Sequence, residues 1–353
     1  MLYLIIFILI SVLSLLNLLF KDGITLYVPL VVLVALAAFR STNVGSDTAT
    51  YAKFYSYARN DIFVGNDFER GYLFLQNTLA TFSAPLWLFF GVIAIISLFA
   101  VMKNYRKYTT LPAFAFLYYF SRFYLNRDLN QIRSGVASGL VLFSIKYLEE
   151  KNFYKFIMVI LIAAQFHTAA YVMVLVYPLH ALMRRLRQGL LFYVVMLIIA
   201  AGISLKLSGV LTAFFSILGR GSVYIEYDGY VDGQGFSNPV LILQVVLSLI
   251  AVFMYYHNDD HINEERLSVI SVYMLSTLVL LSLNQFTVLA GRLSTVLSTV
   301  EPIILIGIFK RFVPKFLVPE LIIFVSMVIL IVIYFNTGQI QQYFEPYIFS
   351  YVN

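Results

Sequence analysis

Apolar runs close to the length of a membrane span recur from one end of the chain to the other. They read approximately as 2–20, 24–39, 85–102, 111–125, 131–148, 190–205, 239–256, 267–285, 293–309 and 316–335. Runs of about 20 apolar residues match the hydrocarbon thickness at about 1.5 Å of helical rise per residue. In lipid every backbone N–H and C=O must be paired inside the segment, which a helix does by itself. The pattern predicts an all-α polytopic integral membrane protein, with about ten transmembrane helices forming one domain over 1–353. The run 2–20 lacks a basic leader and a small-residue cleavage site, so it reads as a retained helix and not a signal peptide.

Charge sets the direction of threading. The clusters KNYRK (103–107), KYLEEKNFYK (146–155), MRRLR (183–187) and KRFVPK (310–315), with Lys21 and Arg266, fall on one side if the first span enters from outside. That side is the cytoplasm, and both termini then lie outside. The stretch 156–180 has a basic cluster at each end, so both ends belong inside. Its length is too short for two full crossings at helical rise. A re-entrant helical pair meeting at QFHTAA (165–170) satisfies both constraints. The alternative is one long helix with a misassigned cluster.

Three polar regions remain outside. Residues 40–84 form the largest, and NDFERGYLFLQNTLATF (66–82) has helical apolar spacing at Phe68, Tyr72, Leu75 and Leu79. It predicts a helix lying at the interface. Residues 219–238 are glycine-rich and acidic, a loop or lid whose YDGYVDG (227–233) admits a calcium site. The aromatic tail 336–353 is expected to pack along the outer surface.

Composition agrees with a lipid solvent. Hydrophobic residues make up 61% and charged residues 12% of the chain, against about 25% charged in soluble domains. With no cysteine, disulfides, thiolate metal sites and a cysteine nucleophile are excluded. The net charge of +6 is scattered, and no basic block suggests nucleic acid. No DxD, HExxH, P-loop or Rossmann pattern is present, so neither metal nor cofactor is expected.

Of the 24 Lys and Arg residues, ten fall outside the cytoplasmic set, and eight of those ten are arginines. Arginine is favoured where a planar fork grips phosphate or carboxylate. Arg59, Arg70 and Arg220 read as interfacial anchors. Arg40 and Arg292 end spans on the outer side, while Arg122, Arg127 and Arg133 sit in or beside spans in SRFYLNRDLNQIRSGVASG (121–139). On a continuous helix Asn126, Asn130 and Arg133 would form one polar stripe. A charge at bilayer depth costs roughly 2.5–3.5 kcal/mol on insertion scales, so it faces a wet or ligand-filled cavity, or else a buried ion pair. His167, alone in an apolar stretch with no acid nearby in sequence, is either a base facing that cavity or a core histidine on a carbonyl. Asp47 either N-caps a helix from Thr48 or orients an arginine.

The order of these motifs resembles a known family. FRSTNVGSDTATYAKFY (39–55) carries an Arg–x(4)–Gly–x–Asp–x(3)–Tyr block on Arg40, Gly45, Asp47 and Tyr51. An arginine opens a helix at Arg133, a Phe-His pair follows at Phe166 and His167, and GRLSTV (291–296) holds Arg292. Ser134 stands where the family has glutamine, and Gln131 lies two residues before Arg133. The succession resembles the EpsG-like branch of Wzy-type polysaccharide polymerases.

The resemblance implies transfer of a growing glycan between undecaprenyl-diphosphate carriers, at the outer face of the bacterial inner membrane. It implies likeness to the C-type membrane glycosyltransferases. Arg40, Arg127, Arg133 and Arg292, with Asn130, Gln131 and Tyr51, would bind the diphosphate or the sugars. His167 or Asp47 would serve as the base. Partners would be lipid-linked oligosaccharides and the bilayer, with room for a chain-length regulator. A flippase would need the same cationic cavity but also repeated halves, which are absent. A glycan ligase would share the donor chemistry and differ only in acceptor.

Overall fold

The computed structural model describes residues 1–62, 64–65, 67–186, 188–218, 235–257 and 263–349. These are helical apart from turns and one isolated antiparallel bridge between Arg40 and Phe349. The expected lid at 219–238, with the aspartates of 227–233, lies outside the described residues except for a short turn at Gly235–Ser237. The chain forms two compact units. The first holds Met1–Phe143, Leu161–Thr168 and the chain from Leu305, and the second holds Ser144–Ile160 and Ala169–Ile304.

The first unit opens with α1 (Leu2–Phe20) and α2 (Gly23–Ala38), packed together. Asn17 Nδ2 closes their turn by donating to the Asp22 carbonyl and to Thr25 Oγ1, both at 2.9 Å. Asp22 caps α2 by accepting from the Thr25 N–H at 2.7 Å. Two short helices follow, α3 (Thr48–Arg59) and α4 (Arg70–Thr81), then α5 (Leu86–Tyr108). A helix is thus present within the predicted stretch, at Arg70–Thr81, but it does not lie alone. It packs on α3, and Tyr72 meets Phe89 of α5 with ring centroids 5.9 Å apart.

The rest of the unit's chain up to Phe143 is buried and broken. After α6 (Pro112–Tyr119) the helix widens into a π turn at Phe120–Tyr124 and ends as α7 (Leu125–Arg127), and α8 begins at Ile132 and runs to Val141. The polar stripe read through Asn126, Asn130 and Arg133 is therefore corrected: the helix stops at Arg127 and restarts beyond a turn. Such breaks persist at membrane depth only inside protein, and residues 113–125 are all buried.

In the second unit, α9 (Ser144–Glu149) leads into α10 (Phe153–Ala164), which crosses into the first unit at Leu161. The chain reverses at 165–167 and returns through a 3-10 segment (Thr168–Leu175) and α11 (Val176–Arg185). The base of this hairpin is closed: Tyr177 Oη donates to the Lys151 carbonyl at 3.2 Å, and its ring packs on Phe153 at 5.0 Å. Glu264 gathers Arg184 Nε at 2.6 Å, Lys151 Nζ at 3.2 Å and His180 Nε2 at 3.4 Å. Residues from two of the basic clusters thus meet one carboxylate, as a hairpin with both ends on one side requires.

Among the described residues, six helices are long and apolar enough to cross a membrane: Leu2–Phe20, Leu86–Tyr108, Gly189–Lys206, Pro239–His257, Glu264–Ser282 and Lys315–Phe335. A seventh arises if Thr287–Ser298 and Glu301–Phe312, bent by 57°, count as one. The count of ten is not reached by length. The run at 24–39 gives a helix of 16 residues, the run at 111–125 carries the π turn, and the run at 131–148 divides between α8 and α9. Hydropathy reads an apolar run as one span and does not register the breaks that burial permits.

Candidate functional site

The motif from Arg40 to Tyr51 folds as a strap. Arg40, 1% exposed, donates to the Ala37 carbonyl and lies 4.1 Å over the Phe90 ring. The aromatic tail holds the strap from the other side: the Ser41 N–H donates to the Ile348 carbonyl at 2.8 Å, and the Gly45 N–H to the Tyr343 carbonyl at 2.7 Å. Gly45 takes φ 91°, and any Cβ there would run into the Leu129 carbonyl. Asp47 stands at the N-cap position of α3, yet its carboxylate caps nothing. That part of the capping expectation is corrected. Instead the Asp47 N–H donates to Asn130 Oδ1 at 2.8 Å, seating the strap on the turn before α8.

That turn also fixes Arg133, the second residue of α8. The Gln131 N–H donates to the Asn126 carbonyl at 2.9 Å, and the Gln131 carbonyl accepts from the Gly135 N–H at 3.1 Å. Small residues let α8 sit close on α5: a Cβ on Gly139 would lie 2.8 Å from the Ser97 carbonyl oxygen. Asp128, 3% exposed, accepts from Tyr119 Oη at 2.8 Å, and Arg127, equally buried, lies 4.3 Å from the Phe123 ring centroid.

A carboxylate joins the two strongest candidates. Glu69 Oε2 is ion-paired with Arg133 Nη1, and Glu69 Oε1 lies 3.1 Å from His167 Nδ1. Oε1 also accepts from the Thr168 N–H at 3.2 Å. The three side chains are 20%, 11% and 15% exposed for Arg133, Glu69 and His167, so the group is shielded but reachable. The Arg133 guanidinium stacks 4.6 Å from the Phe68 ring, with Tyr72 at 5.9 Å and Tyr51 at 6.0 Å, and its Nε meets Tyr51 Oη at 3.5 Å. Burial alone would raise the Glu69 carboxyl, but the hydrogen bond from His167 and the charge of Arg133 outweigh it and hold it below its usual value of 4.5. An ionised carboxylate only accepts. Nδ1 therefore carries a proton toward Glu69, and in the neutral imidazole Nε2 has the free lone pair.

Backbone contacts fasten the hairpin tip to α4. The Gly71 and Tyr72 N–H groups both donate to the Gln165 carbonyl, at 2.9 and 3.1 Å. These are N-terminal helix donors that have no partner within the helix. Gly71 is required by the closeness: a Cβ there would lie 2.6 Å from Gln165 Cβ.

The structure thus brings Arg133, His167 and Tyr51 together, and docks Asp47 on Asn130 one helical turn before Tyr51. Arg40 and Arg127 are buried, Arg40 over the Phe90 ring and Arg127 beside the Phe123 ring, and Arg292 belongs to helix Thr287–Ser298 of the second unit. The residue that sequence reasoning missed is Glu69. It lies 64 positions from Arg133 and 98 from His167, so no local spacing marks it. The one available signal was an acid just ahead of an amphipathic helix in a polar stretch.

A model described as the EpsG family matches residues 23–349. The chain belongs to the EpsG family. The match covers the strap, the start of α8 and the hairpin tip, so every member of the triad lies inside the EpsG region. The chain is also similar to "Amylovoran biosynthesis protein AmsC" of Erwinia amylovora, at 23% identity over 294 residues, covering 79% of this chain and 77% of that protein. No solved structure matches this EpsG-family chain.

Proposed function

We propose that the protein is a membrane glycosyltransferase that polymerises oligosaccharide repeat units carried on undecaprenyl diphosphate. EpsG-family membership and similarity to a protein of amylovoran biosynthesis support a role in polysaccharide assembly. The observation that carries the chemistry is the Arg133–Glu69–His167 triad. His167 Nε2 accepts the proton of the acceptor hydroxyl as its oxygen bonds to the anomeric carbon. The bond from that carbon to the lipid diphosphate breaks, and the electron pair leaves with the diphosphate. Glu69 holds the ring in the required tautomer and stabilises the imidazolium that forms. Asp47, half-buried beside the same aromatic group, is the second candidate base.

In this reading Arg133 meets the growing diphosphate charge, and Arg292 is a separate candidate phosphate ligand on the second unit. Arg40 and Arg127 brace the wall behind. Tyr51, Asn130 and Gln131 line the acceptor side. The site faces the periplasm from the inner membrane, in a layout of about ten spans that counts the short and broken helices, as in the C-type enzymes. Transfer needs no metal, and a chain-length regulator is a candidate partner.

The test is the glycan ladder of a deletion strain complemented with wild type or His167→Ala. Wild type restores the ladder, and the variant at equal membrane level leaves a single repeat unit. Loss of every unit in the deletion strain indicates a flippase or ligase instead. Extension by purified protein that stops in chelator and returns with a divalent ion overturns the metal-free mechanism.

A further inference from the structure

The first unit carries a second polar site at the far end of α5. A cleft of about 280 Å³ opens where the α1–α2 turn meets the α5–α6 turn, and Lys21, Arg106 and Thr110 are among its lining residues. Arg106 Nη1 donates to Tyr27 Oη, and its guanidinium lies 5.7 Å from that ring, which fixes the cation at the rim. Lys310 Nζ donates to Thr110 Oγ1, adding a third cation beside the same wall. One carboxylate, Asp22, also lines the cleft, but it is turned to α2, where it accepts from the Thr25 N–H at 2.7 Å and Oγ1 at 2.5 Å. Leu18, Leu26, Leu111 and Phe114 add apolar lining to the cleft.

Position follows from α5. Its first turn meets the aromatic cluster of α3 and α4, with Phe89 stacked on Tyr55 at 4.4 Å, and its last turn supplies Arg106. At about 1.5 Å per residue, its 23 residues span roughly 34 Å, close to the thickness of a bilayer's hydrocarbon core. If α5 spans the bilayer along its length, the cleft falls at the headgroup level of the leaflet opposite the Glu69 end. Charge there, with apolar lining beside it, suits a ligand that is anionic at one end and greasy at the other.

We propose that this cleft binds the phosphate headgroup of an anionic phospholipid from the leaflet opposite the triad. Lys21 and Arg106 hold the phosphate, Lys310 adds charge through the Thr110 wall, and the leading acyl carbons lie on Leu26 and Phe114. The proposal does not depend on the reaction assigned to His167. It commits to a lipid-borne phosphate because a free anion would make no use of the apolar wall.

Native mass spectrometry of the full chain in detergent tests it, with phosphatidylglycerol, phosphatidylcholine and inorganic phosphate as probes. Wild type is expected to retain phosphatidylglycerol at least tenfold better than phosphatidylcholine. The double variant Lys21→Gln with Arg106→Gln is expected to lose that preference, while Lys53→Gln on α3 keeps it. Leu26→Trp fills the cleft without touching charge and is expected to lower retention as well, which covers a double variant that does not fold. Equal retention of both lipids by wild type, undiminished retention by either cleft variant, or displacement of phosphatidylglycerol by an equal concentration of inorganic phosphate overturns the proposal.

Discussion

His167 Nδ1 lies 3.1 Å from Glu69 Oε1, an acid 98 positions earlier in the chain. The contact gives a lone histidine in an apolar stretch an orienting carboxylate. Because Glu69 also pairs with Arg133, loss of the acid would release two partners at once.

Replacing Glu69 with Gln keeps the volume and removes the charge. We expect kcat for chain extension to fall by about 10²–10⁴, the usual contribution of a positioned base, with a smaller change in KM. The Arg133–Glu69 pair is only partly desolvated, so the stability loss should be about 1–2 kcal/mol, between the exposed and buried limits. Extension rates with lipid-linked repeat units and a melting curve check both, and wild-type kcat would remove Glu69 from the mechanism.

Arg133→Lys retains the charge but not the fork or the stacking plane. The guanidinium sits 4.6 Å over Phe68 while pairing with Glu69, a geometry an ammonium does not reproduce. We expect extension to fall at least tenfold with membrane levels unchanged. Full-length glycan ladders from this variant would count against a geometric role.

Gly71→Ala tests the fastening of the hairpin tip. The new methyl would lie 2.6 Å from Gln165 Cβ and 2.9 Å from its carbonyl oxygen. Overpacking of this kind costs about 1–3 kcal/mol and should displace His167 from Glu69. Gly307→Ala, where nothing lies within 4 Å, is the matched control and should be neutral or slightly stabilising. Equal melting temperatures and activities for the two variants would contradict the close contact.

The pH response follows from the depressed Glu69 carboxyl. A group held below its unfolded value stabilises the fold above that value, and the gain is lost as pH falls through the folded value. The Arg133–Glu69–His167 contacts should therefore stay intact down to the ordinary range near 4.5 and weaken only below it. Melting temperature against pH for wild type and Glu69→Gln reads this directly. The gap between the curves should narrow as pH falls below the ordinary carboxylate range, and a gap that does not narrow in acid would show that the carboxylate charge is not what holds the tip.

Much of the framework was legible in the sequence, and the reasons are physical. Lipid forces backbone pairing inside each apolar run, so helices such as Leu2–Phe20 and Leu86–Tyr108 follow from composition alone. The hairpin at 156–180 followed from charge and length together. The break between Arg127 and Ile132 did not, because a buried helix end looks like any apolar sequence. Arg133 and His167 stood out because charge and imidazole are costly among apolar neighbours. Glu69 did not, since an acid in a polar loop costs nothing until the fold buries it. Arg40 was read as a ligand from its place at a span end and its family motif; in the fold its guanidinium donates to the Ala37 carbonyl and lies over the Phe90 ring.

The seating of the strap ties an early segment of the chain to one made 311 residues later. Tyr347 Oη donates to the Leu36 carbonyl across 311 positions, and Tyr343 and Ile348 offer the carbonyls that Gly45 and Ser41 grip. While the ribosome is still making the intervening helices, the early loop has no lid to rest on. A chain cut before Tyr343 should therefore insert and accumulate yet fail to elongate glycan, and a truncated product that still elongates it would show that the loop orders itself unaided.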